Sequence, residues 1–82
     1  MKVVLLNKVR CENDIDSQWD VANMENLLER LAQITSDEFA EGETFRLFYN
    51  AKGDEKRPAG AFRVIKIYFY VIKLEYLGLE FV

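Results

Sequence analysis

The chain has no histidine and a single cysteine, and these two shortages remove most of the common chemistry. Histidine is the commonest general base and the commonest metal ligand. Cys11 has no second cysteine with which to form an internal disulfide, which suits a reducing compartment, and we interpret it as a small buried apolar residue. A nucleophile at Cys11 also lacks its usual imidazole partner. We therefore expect no enzymatic activity, with no catalytic residue, no metal site and no cofactor.

Phosphate-binding glycine loops and long apolar runs are also missing. The four glycines form neither a Gly-x-Gly-x-x-Gly nor a Gly-Lys-Ser/Thr pattern. The longest uncharged apolar run, residues 67–72, is far shorter than the ~20 residues that span a bilayer. Only four apolar residues follow Lys2 before Asn7, so we expect no secretory signal, no membrane partner and a cytoplasmic protein. Asp14 and Asp16 have the spacing that opens a calcium loop, but the glycine at its sixth position is absent, so we expect no calcium site.

The composition is that of one small globular domain over residues 1–82, because half of the residues are hydrophobic and 30% are charged. The net charge of −3 conceals a strong segregation along the chain. Residues 11–43 contain ten acidic residues against Arg30 alone, a net charge of −9. We expect this acidic segment to exclude nucleic acid as a direct ligand, because phosphate binding needs a basic surface.

Residues 62–77 are the most strand-like part of the chain. They contain no Gly, Pro, Asn, Asp or Ser and are rich in β-branched and aromatic residues. Sixteen extended residues span about 50 Å. A domain of this size has a diameter of roughly 30 Å, so one straight strand does not fit inside it.

The apolar pattern favours a break in this strand. Ile67, Phe69 and Val71 share one face, whereas Ile72 and Leu74 take the opposite face. A one-residue shift of this kind predicts a β-bulge or sharp bend between residues 70 and 73. The alternative is a strand buried on both faces, one of them by a second subunit. In that case the tyrosines of this strand form a self-association surface, which comprises Tyr68, Tyr70 and Tyr76.

The rest of the chain predicts a β-α-β-β order, with one main helix packed on an antiparallel sheet that has a long third strand. The predicted elements are a strand over residues 2–10, a loop over 12–17, a helix over 19–34, a short helical turn over 35–42, a strand over 44–49 and a loop over 50–60. We expect residues 79–82 to dock on the domain, because an apolar C-terminus is unusual for a free tail.

Within the main helix, Ser17 is the predicted N-cap, and one apolar arc is predicted to face the core. That arc comprises Val21, Met24, Leu27, Leu28, Leu31 and Ile34. In the short turn, Ser36 is the predicted cap, Phe39 anchors the turn to the core and Gly42 ends it. Trp19 lies off the apolar arc, and two interpretations stay open for it: a staple at the helix start or an exposed contact residue.

Binding is the function that remains, and the first hypothesis is an inhibitor that offers a nucleic-acid-like negative surface to a nucleic-acid-binding protein. In its size, acidity and lack of chemistry the chain resembles phage-encoded anti-defence proteins, which disarm host restriction or CRISPR complexes; its compartment would then be the bacterial cytoplasm. No specific motif carries this likeness. The predicted partner-binding residues are Asp14, Asp16, Trp19, Asp20, Glu25, Glu29, Asp37, Glu38 and Glu41.

The second hypothesis is a homo-oligomeric structural or adaptor protein, in which the long aromatic strand pairs across a two-fold axis. It depends on the strand length and on the concentration of aromatic residues, since residues 62–82 hold six of the chain's eleven. The two hypotheses are compatible, because a homodimer presents two acidic surfaces.

Overall fold

The computed structural model describes residues 1–15, 19–35, 38–50 and 56–79. These residues form a small α+β domain with two helices and a four-stranded mixed sheet, so the predicted fold class is confirmed. The elements in chain order are β1 (Lys2–Leu6), α1 (Lys8–Asp14), α2 (Val21–Thr35), β2 (Thr44–Asn50), β3 (Lys56–Ile67) and β4 (Val71–Gly78).

The sheet has the strand order β1-β4-β3-β2. Strand β1 runs parallel to β4, and the other two pairs are antiparallel. Cys11 of α1 and Met24 and Leu28 of α2 lie in one hydrophobic cluster with Phe62 and Leu74 of the sheet. Because side chains alternate along a strand, this contact defines an inner face covered by the helices and an open face on the other side.

The predicted long strand is two strands. Strand β3 ends at Ile67, β4 begins at Val71, and the backbone N–H of Tyr68 donates to the carbonyl of Val71 at 2.7 Å. The prediction of one bent strand over residues 62–77 was therefore wrong. The expectation that a strand of this length must be interrupted inside so small a domain was correct. The chain reverses completely instead of bending. The resulting body measures 37 × 22 × 22 Å, which a 50 Å strand would exceed.

The predicted loop over residues 50–60 is partly strand. Residues 51–55 lie outside the described part, and β3 begins at Lys56. Leu47 pairs with Gly60 and Phe48 pairs with Pro58, so Ala59 is an extra residue in a β-bulge. Among the described residues β3 pairs with β4 only from Ala61 onwards, so Pro58 lies where β3 pairs with β2 alone and where a bulge interrupts that ladder, and a proline is tolerated there.

The first strand is shorter than predicted, because a helix begins where the strand was expected to continue. Asn7 adopts the left-handed conformation (φ 64°, ψ 33°), which asparagine tolerates better than most residues, and thereby turns the chain into α1. The Nδ2 group of Asn7 also donates to the carbonyl of Tyr76 at 3.1 Å. Helix α1 includes Glu12 to Asp14, which the sequence predicted as loop, and it is anchored by the fully buried Cys11.

Helix α2 begins after Asp20, whose carboxylate accepts a hydrogen bond from the backbone N–H of Asn23 at 2.8 Å. Asp20 therefore acts as the N-cap, the role that the sequence assigned to Ser17, which lies outside the described residues. Met24 and Leu28 are buried as predicted. Ile34 is 80% exposed, so its place in the predicted apolar arc was wrong.

The helical turn predicted over residues 35–42 is not helical at residues 38–42, and Thr35 is the last residue of α2. Phe39 nevertheless packs against the core as predicted, with its ring centroid 5.2 Å from that of Phe45. Gly42 has φ +86°, and its N–H donates to the carbonyl of Val64 at 2.7 Å. The residues just before β2 are thus hydrogen-bonded to the backbone of β3 at Val64. The predicted cap at Ser36 and the docking of residues 80–82 fall outside the described residues.

The core is centred on Tyr76, which is fully buried. Its ring centroid lies 5.4 Å from that of Phe62, whose centroid lies 5.6 Å from that of Phe45. On the inner face the Tyr76 ring also packs directly against the backbone of Gly60, which has φ +141°. A Cβ atom at position 60 would overlap the ring atom Cε1 of Tyr76.

We predict that Gly60→Ala lowers the free energy of unfolding by about 2–5 kcal/mol, because strain at positive φ adds to overpacking in the core. Gly42→Ala is the matched control, since Gly42 has positive φ but no atom within 4 Å of the added Cβ. It should cost only about 1–2 kcal/mol. Urea unfolding followed by circular dichroism measures both values, and equal losses would contradict the proposed packing of Tyr76 on Gly60.

Candidate functional site

The predicted partner-binding residues lie in two separate places. Asp14, Asp20, Glu25 and Glu29 belong to the layer formed by α1, α2 and the residue that precedes α2, whereas Glu38 and Glu41 lie in the turn before β2. Asp16 and Asp37 lie outside the described residues. Among the described residues, these carboxylates are thus distributed over the helix layer and the turn before β2.

Helix α1 adds basic residues to the helix layer and so lowers its net negative charge. Because this helix replaces the predicted end of strand β1, it brings Lys8 and Arg10 beside the acidic residues. The described helix-layer residues, 8–15 and 19–35, contain five acidic and three basic residues. The Nζ atom of Lys8 lies 3.1 Å from Oε1 of Glu25, and both side chains are well exposed. Glu25 is thus partly neutralised, whereas Glu29 forms no ion pair with any residue that the structure describes.

The acidic turn is ordered by its own carboxylates. Oε1 of Glu41 accepts a hydrogen bond from the backbone N–H of Ile67 at 3.1 Å, and Oε2 of Glu43 accepts one from the N–H of Ala40 at 3.2 Å. Both contacts are exposed, so they fix the shape of the turn without withdrawing its charge from solvent. Glu41 therefore has a structural role that the sequence did not predict.

A shallow groove of about 270 Å³ opens beside this turn. Its floor includes the aromatic rings of Phe39 and Phe45 together with Leu47, and its rim includes the carboxylates of Glu38 and Glu43. Arg46 also lines the groove and has a contact of its own. Apolar walls beneath a carboxylate rim can hold the alkyl stem and the charged head of a lysine or arginine side chain.

Trp19 packs on the core side instead of standing free. Its ring stacks on that of Tyr49, with centroids 5.0 Å apart and planes 12° from parallel. Its side chain is half-buried, and its indole N–H has no hydrogen-bond partner among the described residues. The contact joins the start of α2 to the end of β2, and this position favours a structural role over the exposed-contact alternative.

A second groove, of about 340 Å³, lies where Asp14 faces Tyr49, Arg57 and Pro58. Close to it, burial and then the negative charge of Asp14 raise the pKa of the Tyr76 hydroxyl. That hydroxyl has no partner in good hydrogen-bond geometry within the described part of the chain, although the Asp14 carboxylate is near enough to act on it. A tyrosine with a raised pKa stays protonated, so it supplies no base at neutral pH.

Burial also lowers the reactivity of Cys11, because it raises the pKa of the thiol. Burial raises the pKa of its thiol from the ordinary 9.0 to about 11, and the carboxylates of Asp14, Glu12 and Glu25 add to the shift. Since the thiolate is the reactive form, burial and these charges both oppose nucleophilic chemistry. In the described residues no group of three or more Cys, Asp or Glu side chains is placed to hold a metal ion. The absence of enzymatic activity stays a prediction.

The open face of the sheet carries a feature that the sequence analysis missed. Near the β3–β4 turn, Lys66 and Lys73 are directly paired across the two strands, and Lys2 follows on β1 opposite Val71. The Nζ atoms of Lys66 and Lys73 lie 5.9 and 5.4 Å from the ring centroid of Tyr68. We call Lys2, Lys66, Lys73 and Tyr68 the lysine–tyrosine cluster. Its members come from opposite ends of the chain, so only the strand order reveals it.

The predicted self-association residues do not share one surface. Tyr68 and Tyr70 are 45% and 70% exposed in the β3–β4 turn, with Phe69 between them 83% exposed. Phe69 and Tyr70 pack edge to face at 4.3 Å. Tyr76 is fully buried in the core, so it is removed from the predicted surface. The sequence pattern assigned it to the strand correctly but did not indicate which face the helices cover.

A scan against protein-family models found no match, and searches of curated proteins and of solved structures found no match either. Neither described helix combines the length and the apolar composition that a membrane crossing requires. The functional proposals below therefore depend on the geometry of the chain's own surfaces.

We predict that Cys11 reacts with an aromatic disulfide reagent at pH 8 at least about 100-fold more slowly in the folded protein than in urea, because a two-unit rise in pKa alone lowers the thiolate fraction that much. The rise also affects stability. A folded-state pKa above the unfolded one favours the folded state below pH 9, and this contribution is lost as the pH rises from about 9 towards 11.

Urea titrations at pH 8 and at pH 10.5 measure this loss of stability. Cys11→Ala is the control, and its stability should fall less over the same interval, with Tyr76 accounting for part of the remainder. Equal reaction rates in the folded and unfolded protein would contradict a buried thiol at Cys11.

Proposed function

We propose that the chain is a protein-binding inhibitor whose acidic turn and helix layer receive a basic segment of a nucleic-acid-binding protein. The groove between Glu38 and Glu43 is the single observation that carries the proposal. It is the place where exposed carboxylates stand over an apolar floor, which suits an arginine or lysine side chain. The likeness to phage-encoded anti-defence proteins adds the class of partner, a host restriction or CRISPR complex.

The charge distribution supports this proposal only in part. The net charge of −9 over residues 11–43 remains the largest charge asymmetry of the chain, and such a field accelerates encounter with a basic partner. Lys8 and Arg10 reduce that field along the helices, as described above. We therefore place the main contact at the turn and groove, with Glu29 and Asp20 as contributors on the helix layer.

Tagged protein immobilised and exposed to bacterial lysate tests the proposal, with bound proteins identified by mass spectrometry at increasing salt. The groove variant combines Glu38→Gln and Glu43→Gln, and the amide oxygen introduced by the second change can still accept the hydrogen bond from the N–H of Ala40. The helix variant combines Asp20→Asn and Glu29→Gln, and asparagine preserves the N-cap. We predict that the groove variant recovers about three- to tenfold less of one basic nucleic-acid-binding protein, as expected for losing two rim charges, and that the helix variant loses less.

Lys66→Gln combined with Lys73→Gln is the matched control in lysate treated with nuclease, because it changes two charges on the open face and should leave recovery unchanged once nucleic acid is removed. The proposal is overturned when the groove and helix variants recover the same proteins in the same amounts as the unaltered chain. Salt above about 0.5 M should release the partner, since screening weakens contacts between exposed charges.

Self-association is a second candidate function, favoured by the exposure of Tyr68, Phe69 and Tyr70 at one turn. Exposed aromatic groups of this kind are enriched at protein interfaces. We predict that, if this turn joins two copies, Tyr70→Asp converts a dimer to a monomer in size-exclusion chromatography with light scattering. Ile34→Asp is the control, because Ile34 is equally exposed but lies on α2. A monomeric unaltered chain at 100 µM (roughly the upper range of such runs) would exclude this candidate.

A further inference from the structure

The lysine–tyrosine cluster brings together like charges that form no ion pair among the described residues. Lys66 and Lys73 stand directly opposite each other in the β3–β4 ladder, an arrangement that destabilises a sheet. Neither lysine forms an ion pair with a residue that the structure describes. Further along the same ladder Arg63 stands opposite Glu75, with 3.9 Å between their charged groups. The cluster therefore has an excess of positive charge.

A β-bulge produces this arrangement. Val64 pairs with Leu74 and Lys66 pairs with Lys73, so Ile65 is an extra residue on β3. In a regular ladder Ile65 would face Lys73, whereas the bulge places Lys66 there. Lys73 points to the open face, because its neighbours Ile72 and Leu74 are buried on the inner face. Lys66 and Tyr68 therefore lie on that face with it.

Two acidic residues border the cluster, and each already has a partner. Glu41 accepts the hydrogen bond from Ile67 at the edge of β3, and Glu75 stands opposite Arg63. The cluster thus offers three ammonium groups beside an aromatic ring on the open sheet face, in a chain whose net charge is −3. This local charge opposes the sign of the whole molecule, so solubility does not explain it.

We propose that the open face binds single-stranded nucleic acid at the lysine–tyrosine cluster, with phosphate groups at Lys2, Lys66 and Lys73 and one base against Tyr68. A nucleotide presents both groups that the cluster complements, a phosphate for the ammonium groups and a flat base for the ring. An open sheet face can receive an extended single strand, whereas a duplex is read by elements that enter its grooves.

This proposal is independent of the proposed function, because it uses the open face and the acidic groove plays no part in it. It also departs from the expectation of no direct nucleic acid. The charge argument for that expectation came from residues 11–43, and none of the cluster belongs to that segment.

Fluorescence anisotropy with a labelled 12-residue oligothymidylate (about one to three binding sites in length) tests the proposal over a range of salt concentrations. We expect binding to the single strand to be at least about fivefold tighter than to a duplex of equal length. If all three lysines contact phosphate, the slope of log K against log salt should be about −2. Lys66→Gln with Lys73→Gln should weaken binding and bring the slope closer to zero by about 1.4.

Tyr68→Leu separates stacking from charge. It should weaken binding about fivefold or more while the salt slope stays unchanged, because it removes the ring and keeps the ammonium groups. Lys8→Gln with Arg30→Gln is the matched control, since it removes two positive charges from the helix layer. That control should bind the oligonucleotide no more weakly than the unaltered chain.

The proposal is overturned by no binding at 50 mM salt, by equal losses in the control and cluster variants, or by preference for anionic lipid vesicles in a flotation assay. Self-association that the Lys66 and Lys73 variant abolishes, without oligonucleotide binding, would overturn it as well. Folding is checked separately by thermal unfolding. The variant should be at least as stable as the unaltered chain, because it relieves a repulsion between opposed lysines.

Discussion

The packing of Tyr76 on Gly60 is the contact on which the rest of the structure depends. The ring of Tyr76 on β4 fits against the neighbouring strand β3 because Gly60 has no side chain to occupy the same space. The backbone carbonyl of Tyr76 also accepts a hydrogen bond from the Asn7 side chain, which fixes the turn from β1 into α1. Its ring also begins the aromatic row that leads through Phe62 to Phe45 and Phe39. One residue of β4 thereby connects to β3 and β2 through its side chain and to the start of the first helix through its backbone carbonyl.

The one-sided cover of the sheet by the helices gives the molecule two surfaces of unlike charge. The helix layer and the turn before β2 hold most of the carboxylates, whereas the open face holds opposed lysines around Tyr68. A net charge of −3 averages over both and describes neither. A nucleoprotein complex offers a basic protein surface and a phosphate backbone together, so the two surfaces suit different components of one such assembly.

The sequence predicted the α+β class, the main helix and the inward faces of Met24, Leu28 and Phe39, because these depend on local apolar period. It failed at two places for physical reasons. The reversal at residues 68–70 contains no Gly, Pro, Asn or Asp, so the usual turn signal is absent, and only the shift in apolar phase indicated it. Helix α1 is short and polar and is stabilised mainly by the burial of Cys11, a tertiary effect. Of the candidate sites, the acidic turn was visible in the sequence, whereas the lysine–tyrosine cluster requires the strand order and a bulge.

The ladder between β3 and β4 contains two pairs of opposed charged residues, and comparing them shows what is unusual about the cluster. At one position Arg63 faces Glu75, and opposite charges paired in this way stabilise a sheet. Across the Ile65 bulge the opposed residues are two lysines, although a regular register would have put an isoleucine there. The bulge therefore adds a repulsion that the fold does not need, while Tyr68 offers each ammonium only a weak attraction. An anion at this position would relieve the repulsion between the two lysines, and this difference between the free and bound states is the physical basis of the binding proposed for the open face.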